Sequence, residues 1–260
     1  MIHETAYAKL NLALHVRERL GDGYHRIETV FAFCEDGDVL IGRESDRLTL
    51  DLTGPFAREL AAEPDNLVLR AAAMVGARVA FSLDKKLPLA AGLGGGSADA
   101  AAALRLIARM RGLVYEDVFG FAAPLGADVP ACFFSQAARG AGRGDALTPL
   151  DEDLAGTPVL LVNPRRPLST AAVFGGWDGT DRGPLGDWRD GRNDLEASAV
   201  ALAPEISEVL GALSGAAFAR MSGSGATCFG LFETEAGRDR AAAEIGAAQP
   251  GWWLSQTRLR

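Results

Sequence analysis

The chain has 260 residues, of which 48% are hydrophobic and 23% are charged, an ordinary balance for one large globular domain or two small ones. Its formal net charge of −8 excludes the basic surface that DNA or RNA binding requires, although a few local cations suffice for a small anionic substrate. The three cysteines lie far apart and form no CxxC pair, which indicates a reducing compartment and buried thiols. We expect no signal peptide and no membrane span, and therefore a cytoplasmic protein.

The first predicted element is a strand in which leucine and valine alternate with other residues from Leu10 to Val16. Its polar face carries Lys9, Asn11 and His15, because side chains two residues apart share a face of a strand. A turn at residues 21–23 should lead into a second strand. Two further strands with a hairpin near residues 44–46, a helix over 66–79 and a strand over 79–88 are then predicted.

The next segment places four glycines among five residues, 92–96, directly before a run of helix formers. Ser97 is a good N-cap for that helix, and Gly112 is placed to end it. Unpaired N–H groups and the dipole at a helix N-terminus bind anions, and glycines let the backbone approach them closely. The pattern therefore favours a phosphate cradle. A flexible turn without a ligand is the alternative, but such turns usually hold one or two glycines.

Better-known catalytic and nucleotide motifs are absent from the sequence. No lysine follows the glycines as a P-loop requires, and Ser97 and Asp99 stand where the dinucleotide fingerprint would need its final glycine. Asp99 also breaks the GxSxG pattern of a hydrolase nucleophile, and no HExxH zinc motif occurs. The sequence therefore carries none of the signatures of a P-loop protein, a Rossmann dinucleotide-binding protein, a nucleophile-elbow hydrolase or an HExxH zinc hydrolase.

Beyond the glycine-rich helix, strands and helices continue in a mixed order. We predict a helix over 115–123, a loop over 124–134, a strand over 158–163, a short helix over 169–174, a mobile segment over 175–194, a helix over 204–213, two strands around a glycine turn over 217–232, and a helix over 235–247. No regular βαβ period is present, so the fold class is α+β. Glycine, arginine and aspartate crowd residues 138–156, which places a domain boundary there and predicts domains over 1–150 and 151–260.

Three motifs carry a resemblance to a known family. "PLAAGLGGGSADAA" resembles the phosphate-binding motif of the GHMP kinase superfamily, and "AYAKLNLALHV" and "RMSGSGATCFGLF" resemble its N-terminal and C-terminal motifs. The resemblance implies an α+β two-domain kinase, with an N-terminal ATP-binding domain like ribosomal protein S5 domain 2 and a ferredoxin-like C-terminal domain. "DGYH" and "LGADVP" further resemble the branch that uses ATP to phosphorylate the 2-hydroxyl of 4-diphosphocytidyl-2-C-methyl-D-erythritol in isoprenoid biosynthesis.

That resemblance implies a catalytic aspartate, Asp128, and a lysine partner, Lys9, which contacts the aspartate and the transferred phosphate. A lysine beside an aspartate favours the charged carboxylate and weakens it as a base, so the pair is expected to orient the hydroxyl and neutralise charge. The alternatives are an aspartate in an exposed turn and a solvated lysine at a strand edge.

The remaining site residues fall into two implied groups. The ATP-binding group is Leu89, Ala90, Ala91, Gly92, Leu93, Gly94, Gly95, Gly96 and Ser97, with Asn66 and Lys86 as contacts to the nucleoside. The substrate-binding group is Asn11, Tyr24, His25, Phe31 and Phe174, with Tyr24 and Phe174 expected to stack on the cytosine. Core packing is the alternative for the two phenylalanines, and solvation is the alternative for His25.

The implied ligands are ATP with Mg²⁺ and the cytidine diphosphate-linked alcohol, in a protein that is a monomer or a weak homodimer. No metal-ligand set is evident, and Asp99 is expected either to point away from the phosphates or to help hold magnesium. Two other functions stay open. One is a GHMP kinase acting on homoserine, mevalonate or a sugar, and the other is a nucleotide-binding regulator without chemistry.

Overall fold

The computed structural model describes residues 1–61 and 65–260, and the chain divides into two compact units that are each assembled from separate segments. Unit 1 comprises Met1–Lys9, Asp36–Leu89 and Gly94–Ser135, and unit 2 comprises Leu10–Glu35, Ala90–Leu93 and Gln136–Arg260. The domains predicted over 1–150 and 151–260 are continuous stretches of sequence, whereas each compact unit is built from separate segments. The predicted boundary stays a prediction.

The described residues form ten strands and ten helices. The strands are β1 Ile2–Arg19, β2 His25–Glu44, β3 Thr49–Thr53, β4 Val79–Asp84, β5 Ala138–Gly142, β6 Ala146–Pro149, β7 Pro158–Asn163, β8 Phe218–Met221, β9 Cys228–Leu231 and β10 Trp253–Arg258. The helices are α1 Ala57–Ala61, α2 Leu67–Met74, α3 Gly95–Arg111, α4 Tyr115–Phe119, α5 Ala122–Leu125, α6 Val129–Phe134, α7 Thr170–Gly175, α8 Glu196–Leu202, α9 Glu205–Ala212 and α10 Glu235–Ala248. Among the described residues, no helix combines the length and apolar character needed to cross a membrane.

In unit 1 the strand β4 lies between two neighbours. It pairs antiparallel with residues 39–44 of β2 and parallel with β3. The hairpin predicted near residues 44–46 is therefore wrong, because β4 separates β3 from β2 in the sheet. The alanine-rich helix α3 packs against α2 and α6 and is buried from Ala98 to Ala108, since small side chains allow close helix–helix approach.

Unit 2 contains a four-stranded antiparallel sheet in the order β10-β7-β9-β8. With α9 and α10 in their places along the chain, this order is the ferredoxin-like arrangement that the family resemblance implied. Leu160 and Val162 of β7 share one core cluster with Ile206 and Val209 of α9 and with Ile245 of α10. In the same unit, residues 27–31 of β2 pair with β5, which pairs with β6.

Three of the predicted helices differ from the observed ones. The helix α2 begins after Asn66, whose side chain accepts the N–H of Val68 at 2.9 Å, and it ends at Met74, just before Gly76 adopts φ +60°. The predicted helix over 115–123 is two short helices, α4 and α5. The N-cap of α3 is Gly94 rather than Ser97, which lies in the first turn of that helix, whereas Gly112 ends it as predicted.

The polar segment over 175–194 makes many contacts within unit 2, contrary to the mobility that its composition predicted. Trp177 and Trp188 are buried. The indole N–H of Trp188 donates to Glu152 at 3.0 Å, and the N–H of Leu185 donates to Glu28 at 2.6 Å. These partners lie far away along the chain, so the composition of the segment cannot reveal them.

The three cysteines, Cys34, Cys132 and Cys228, are free thiols and are buried, as the sequence predicted. Burial raises the pKa of Cys132 and of Cys228. Both therefore remain neutral and behave as small hydrophobic side chains in the core.

Candidate active site

Lys9 and Asp128 form an ion pair in unit 1. The Nζ atom of Lys9 lies 3.2 Å from Oδ2 of Asp128, and the lysine side chain is only 4% exposed whereas the aspartate side chain is 34% exposed. Asp128 stands at the N-cap of α6, where its carbonyl accepts the N–H of Cys132 at 3.0 Å and Pro130 sits in the first turn. The carboxylate is thus held by a buried cation while part of it faces solvent.

The first helical turn of α3 lies beside this ion pair. Gly94 has a left-handed backbone at φ +62°, and a Cβ added to it would lie 2.9 Å from Cε of Lys9 and 3.8 Å from Oδ2 of Asp128. A side chain there would press against the lysine as well as strain the backbone. The N–H groups of Gly95, Gly96 and Ser97 have no intrahelical partner by their position, so they are available to an anion.

A second group of charged side chains, which the sequence analysis did not predict, lies beneath the same turn. Lys85 donates to Oδ2 of Asp38 at 2.5 Å and to Oδ2 of Asp99 at 2.6 Å, and all three side chains are at most 4% exposed. The other oxygen of Asp38 accepts the N–H groups of Lys86 and Leu87 at 2.6 and 2.8 Å. We call Asp38, Lys85 and Asp99 the closed cluster, because none of the three faces solvent.

The closed cluster also reaches the glycines. A Cβ added to Gly95 would lie 3.1 Å from Nζ of Lys85. Burial alone would lower the pKa of Lys85, but the charges of Asp99 and Asp38 outweigh burial and raise it, so the lysine is charged. For Asp99, burial outweighs the attraction of Lys85 and raises the pKa to about 7. One ammonium therefore serves two carboxyl groups under the start of α3.

This arrangement bears on two expectations from the sequence. Asp99, which was expected to point away from the phosphates or to help hold magnesium, is buried, and its Oδ2 accepts from Lys85. Lys86, the predicted nucleoside contact, is about half exposed and lies 3.6 Å from Asp84. The inward residue is Lys85, which continues the buried alternation of Val79, Phe81 and Leu83 in β4. That alternation is the signal that could have identified it.

Magnesium ligands are not evident in the part of the chain that the structure describes, where no group of three or more His, Cys, Asp and Glu side chains is placed to hold a metal ion. The Mg²⁺ that the sequence predicts stays a prediction.

A recess of about 130 Å³ opens in unit 1 next to the glycines. Its walls include Leu60, Asn66, Leu67, Gly96 and Asp99. Asn66, a predicted nucleoside contact, thus lies at the same recess as Gly96 of the predicted phosphate cradle. The leucines give the recess apolar walls, as is usual for ligand sites with few polar groups.

The earlier part of the glycine segment, residues 90–93, belongs to unit 2 and packs against the C-terminal glycine motif. The carbonyl of Ala91 accepts the N–H of Thr227 at 3.2 Å, and that of Gly92 accepts the hydroxyl of Ser222 at 2.9 Å. A Cβ added to Gly92 would lie 2.1 Å from the Ser222 carbonyl oxygen, so only glycine fits. Leu93 is buried, which leaves its backbone rather than its side chain for any contact with a ligand.

Asn11, a predicted substrate contact, is buried in unit 2 with a fixed side-chain orientation. Its backbone N–H donates to Ser222 at 3.2 Å, and its Nδ2 donates to the hydroxyl of Thr29 at 2.8 Å. That hydroxyl in turn donates to the carbonyl of Ala13 at 2.6 Å. The chain of bonds fixes which end of the amide carries the oxygen.

Aromatic rings gather around His25 in unit 2. The ring of Phe174 lies 5.0 Å from that of His25, and Trp177 meets it edge-on at 5.8 Å. Nε2 of His25 is buried and has no hydrogen-bond partner among the described residues. Burial and the charge of Arg19 lower the pKa of His25, so the ring is neutral at pH 7.

Tyr24 and Phe31, two further predicted substrate contacts, have different surroundings. Tyr24 is half exposed, and the guanidinium of Arg143 lies 4.4 Å above its ring centroid. Phe31 is fully buried, and Cβ atoms added to Gly140 and Gly144 would lie 2.6 and 3.6 Å from its ring. The structure thus gives Phe31 a packing role. The sequence analysis named neither Trp177 nor Arg143, because both come from segments without periodicity.

Comparison with known proteins is consistent with this geometry. The model of the GHMP kinases N terminal domain matches residues 66–136, and that of the GHMP kinases C terminal matches residues 180–250. The 4-diphosphocytidyl-2-C-methyl-D-erythritol kinase of Rhizorhabdus wittichii is 54% identical, covering 99% of this chain and 94% of its own. That of Novosphingobium aromaticivorans is 51% identical, covering 100% and 93%.

Solved structures show the same fold over nearly the whole chain. A crystal structure of 4-(cytidine 5'-diphospho)-2C-methyl-D-erythritol kinase matches with a TM-score of 0.81 and 33% identity, covering 99% of both chains. Mevalonate kinase of Methanococcus jannaschii matches with a TM-score of 0.70 but only 10% identity, over 100% of this chain and 98% of its own, and so shares the fold alone. The chain therefore belongs to the 4-diphosphocytidyl-2-C-methyl-D-erythritol kinase family of the GHMP kinases.

Proposed function

We propose that this chain transfers the γ-phosphoryl group of ATP to the 2-hydroxyl of 4-diphosphocytidyl-2-C-methyl-D-erythritol. The observation that carries the proposal is the Lys9–Asp128 ion pair of 3.2 Å, which lies directly beside Gly94 at the start of α3. A cation, a carboxylate and the N-terminus of a long helix meet at one point, as phosphoryl transfer to an alcohol requires. Family membership supports the choice of substrate.

Phosphoryl transfer depends mainly on positioning and on neutralising charge, because its transition state is loose and spreads charge over the phosphoryl oxygens. In this proposal the N–H groups of Gly95, Gly96 and Ser97 bind the phosphates of ATP. The ammonium of Lys9 lies next to these groups and stabilises the negative charge on the transferred group. Magnesium bound to the nucleotide supplies further neutralisation, and no ligand for it is assigned in this chain.

Asp128 holds the acceptor hydroxyl in this mechanism. Its carboxylate is accessible at 34% exposure, so it can accept the hydrogen bond of an alcohol while its Oδ2 stays paired with Lys9. The carboxylate orients the hydroxyl and takes its proton as the new P–O bond forms and the bond between the phosphoryl group and ADP breaks.

The cytidine end of the alcohol is assigned to residues of unit 2. Phe174 and His25 lie ring to ring at 5.0 Å, and Tyr24 presents a half-exposed ring. Flat rings bind a nucleobase by stacking, with about 1–3 kcal/mol per base in single-strand binders. The neutral His25 and the oriented amide of Asn11 offer hydrogen bonds to polar groups of the substrate. Phe31 supports this region from the core.

A screen of ADP release tests the proposal. The purified protein is supplied with MgATP and, in separate reactions, with the cytidine diphosphate-linked methylerythritol, mevalonate, homoserine or galactose. We expect turnover with the first alcohol and none above background with the others. Faster turnover of another alcohol would assign the chain to a different GHMP activity. ATP binding without ADP release on any of the alcohols would support a regulator without chemistry.

A further inference from the structure

One oxygen of the closed cluster stands apart from the other hydrogen-bonding groups of the cluster. Asp38 accepts three donors, Lys85 donates to both carboxylates, and Oδ2 of Asp99 accepts from Lys85. Oδ1 of Asp99, in contrast, is buried and has no hydrogen-bond partner among the described residues. A buried polar atom without a partner costs about 1–3 kcal/mol, and more for a charged group.

The position of Asp99 suggests what this oxygen is for. Asp99 is one of the walls of the recess that also includes Asn66 and Gly96. Gly96 belongs to the first turn of α3, where the proposed function puts the phosphates of ATP. The nucleoside that follows those phosphates then lies in the recess between Leu60 and Leu67. Its amino and hydroxyl groups are the donors that a carboxylate oxygen in the wall can accept.

We propose that Asp99 is a specificity-determining residue for the nucleotide, and that its Oδ1 accepts a hydrogen bond from the base amino group or a ribose hydroxyl of ATP in this recess. The inference rests on the proposed function, since it assumes that ATP binds at the start of α3. It assigns the closed cluster two tasks. Asp38 and Lys85 hold the backbone, and Asp99 also selects the ligand.

Protonation of Asp99 gives the inference a second consequence. Burial and the neighbouring Asp38 favour the protonated carboxyl, and the charged form of Asp99 is the stronger acceptor for a nucleoside donor. With the pKa of Asp99 raised by burial to about 7, the accepting form is scarce at pH 6 and dominant at pH 8. Affinity for ATP should therefore rise about tenfold over that interval, in proportion to the competent fraction. The charged or titratable groups around Asp99 are Asp38 on β2, Lys85 after β4 and Cys132 on α6, and Asp65 lines the same recess.

The substitution Asp99→Asn replaces the acceptor at the unpartnered end of this side chain with a donor. Lys85 needs an acceptor, so the carbonyl of the asparagine turns toward Lys85 and its NH₂ group turns away from it. A donor then meets the donor of the nucleoside. We expect a Kd for ATP about tenfold higher than that of the wild-type protein at pH 8, and no rise in affinity between pH 6 and pH 8 beyond that caused by the ionisation of ATP itself.

The experiment is titration calorimetry at pH 6, 7 and 8 with four nucleotides. They are ATP, 2′-deoxyATP, 3′-deoxyATP and purine riboside triphosphate, and the last of these lacks the 6-amino group. Wild-type protein should bind one of these analogues about tenfold more weakly than ATP, and that analogue identifies the donor. Asp99→Asn should bind that analogue and ATP equally. Asp51→Asn, an exposed aspartate of β3, is the matched control and should behave as wild type.

Several results would overturn the inference. Equal affinity of the wild-type protein for ATP and all three analogues would do so without any variant. If Asp99→Asn folds, as judged by its Tm, and keeps the same discrimination or the same pH dependence as wild type, Asp99 is only structural. If the wild-type protein binds no ATP at all, both this inference and the proposed function fail. If ATP binds normally but no alcohol is phosphorylated, only the proposed function fails.

Discussion

Unit 1 carries two lysine–aspartate groups, and they differ in how far they are closed to solvent. In the first, a buried Lys9 meets an Asp128 that is one-third exposed, and the pair touches Gly94. In the second, Lys85, Asp38 and Asp99 are all buried, and the group touches Gly95. Two adjacent glycines thus lie beside different groups. Gly94 is next to a pair that a substrate can reach, and Gly95 is next to a cluster that fixes the backbone.

The exposure of the carboxylate to solvent decides whether the same residue types take part in chemistry or in structure. An open carboxylate can exchange its hydrogen-bond partner for a substrate hydroxyl, because water satisfies it in the meantime. A closed cluster has no such freedom, and removing its cation leaves two carboxylates buried without a counter-charge. Such losses cost about 3–5 kcal/mol. Substitutions in the open pair should therefore change rate, and those of Asp38 and Lys85 in the closed cluster should change stability.

Asp128→Asn should have the largest effect. The change keeps the shape of the side chain and removes its charge and basicity, so kcat should fall by about 10²–10⁴. Tm should stay within a few degrees of the wild-type value, because the side chain is partly solvated. The measurement is steady-state ADP release with the cytidine-linked alcohol. A variant that keeps more than about a tenth of the turnover would exclude Asp128 as the group that takes the hydroxyl proton.

Lys85→Met should give the largest loss of stability. We expect a decrease of about 3–5 kcal/mol in the free energy of unfolding, measured by urea denaturation, because Asp38 and Asp99 lose their shared cation. Lys9→Met is the matched comparison. It should lose far less stability, since Asp128 can be hydrated, but most of the activity. Equal losses of stability in both variants would remove the distinction between the two groups.

The stability of the wild-type protein should depend on pH through Asp99. Its pKa in the folded protein, about 7, lies above the ordinary value of 3.8, so the folded state holds this proton more tightly than the unfolded state. The resulting stabilisation is complete below about pH 4 and is lost as the pH rises to about 7, at up to about 1.4 kcal/mol per pH unit. The difference in unfolding free energy between wild type and Asp99→Asn should show this slope between pH 5 and pH 7. A constant difference would contradict it.

The two neighbouring glycines should respond differently to alanine. Gly94→Ala strains a left-handed backbone by about 1 kcal/mol and presses on Lys9, so we expect kcat to fall by about tenfold. Gly95 has ordinary helical backbone, but the Cβ added in Gly95→Ala would lie 3.1 Å from Nζ of Lys85. We therefore expect weaker ATP binding with a smaller effect on kcat. Kinetics of both variants at saturating ATP separate the two effects. Equal kinetic changes in both variants would show that the two glycines have no separate roles.

Much of this organisation follows from the sequence because it depends on local patterns. Alternation located the strands, the glycine run located the start of α3, and the motifs singled out Lys9 and Asp128, which the structure then brings together. The closed cluster was missed because Asp38 and Lys85 are 47 residues apart, and no local pattern reports which distant carboxylates meet a lysine. Side-chain preference predicts Ser97 as the N-cap, but Gly94 takes that position with a left-handed backbone.

The contact between Trp177 and His25 supplies an optical reporter in unit 2. Trp177 is buried and meets the imidazole edge-on at 5.8 Å, and its indole N–H has no hydrogen-bond partner among the described residues. Its emission is therefore sensitive to the position and charge of the neighbouring imidazole ring. A ligand that displaces His25, or acid that protonates it, should change the intrinsic fluorescence of the protein. Ligand binding near His25 can then be followed in real time without a label. Trp177→Phe, which lacks this indole, is the control.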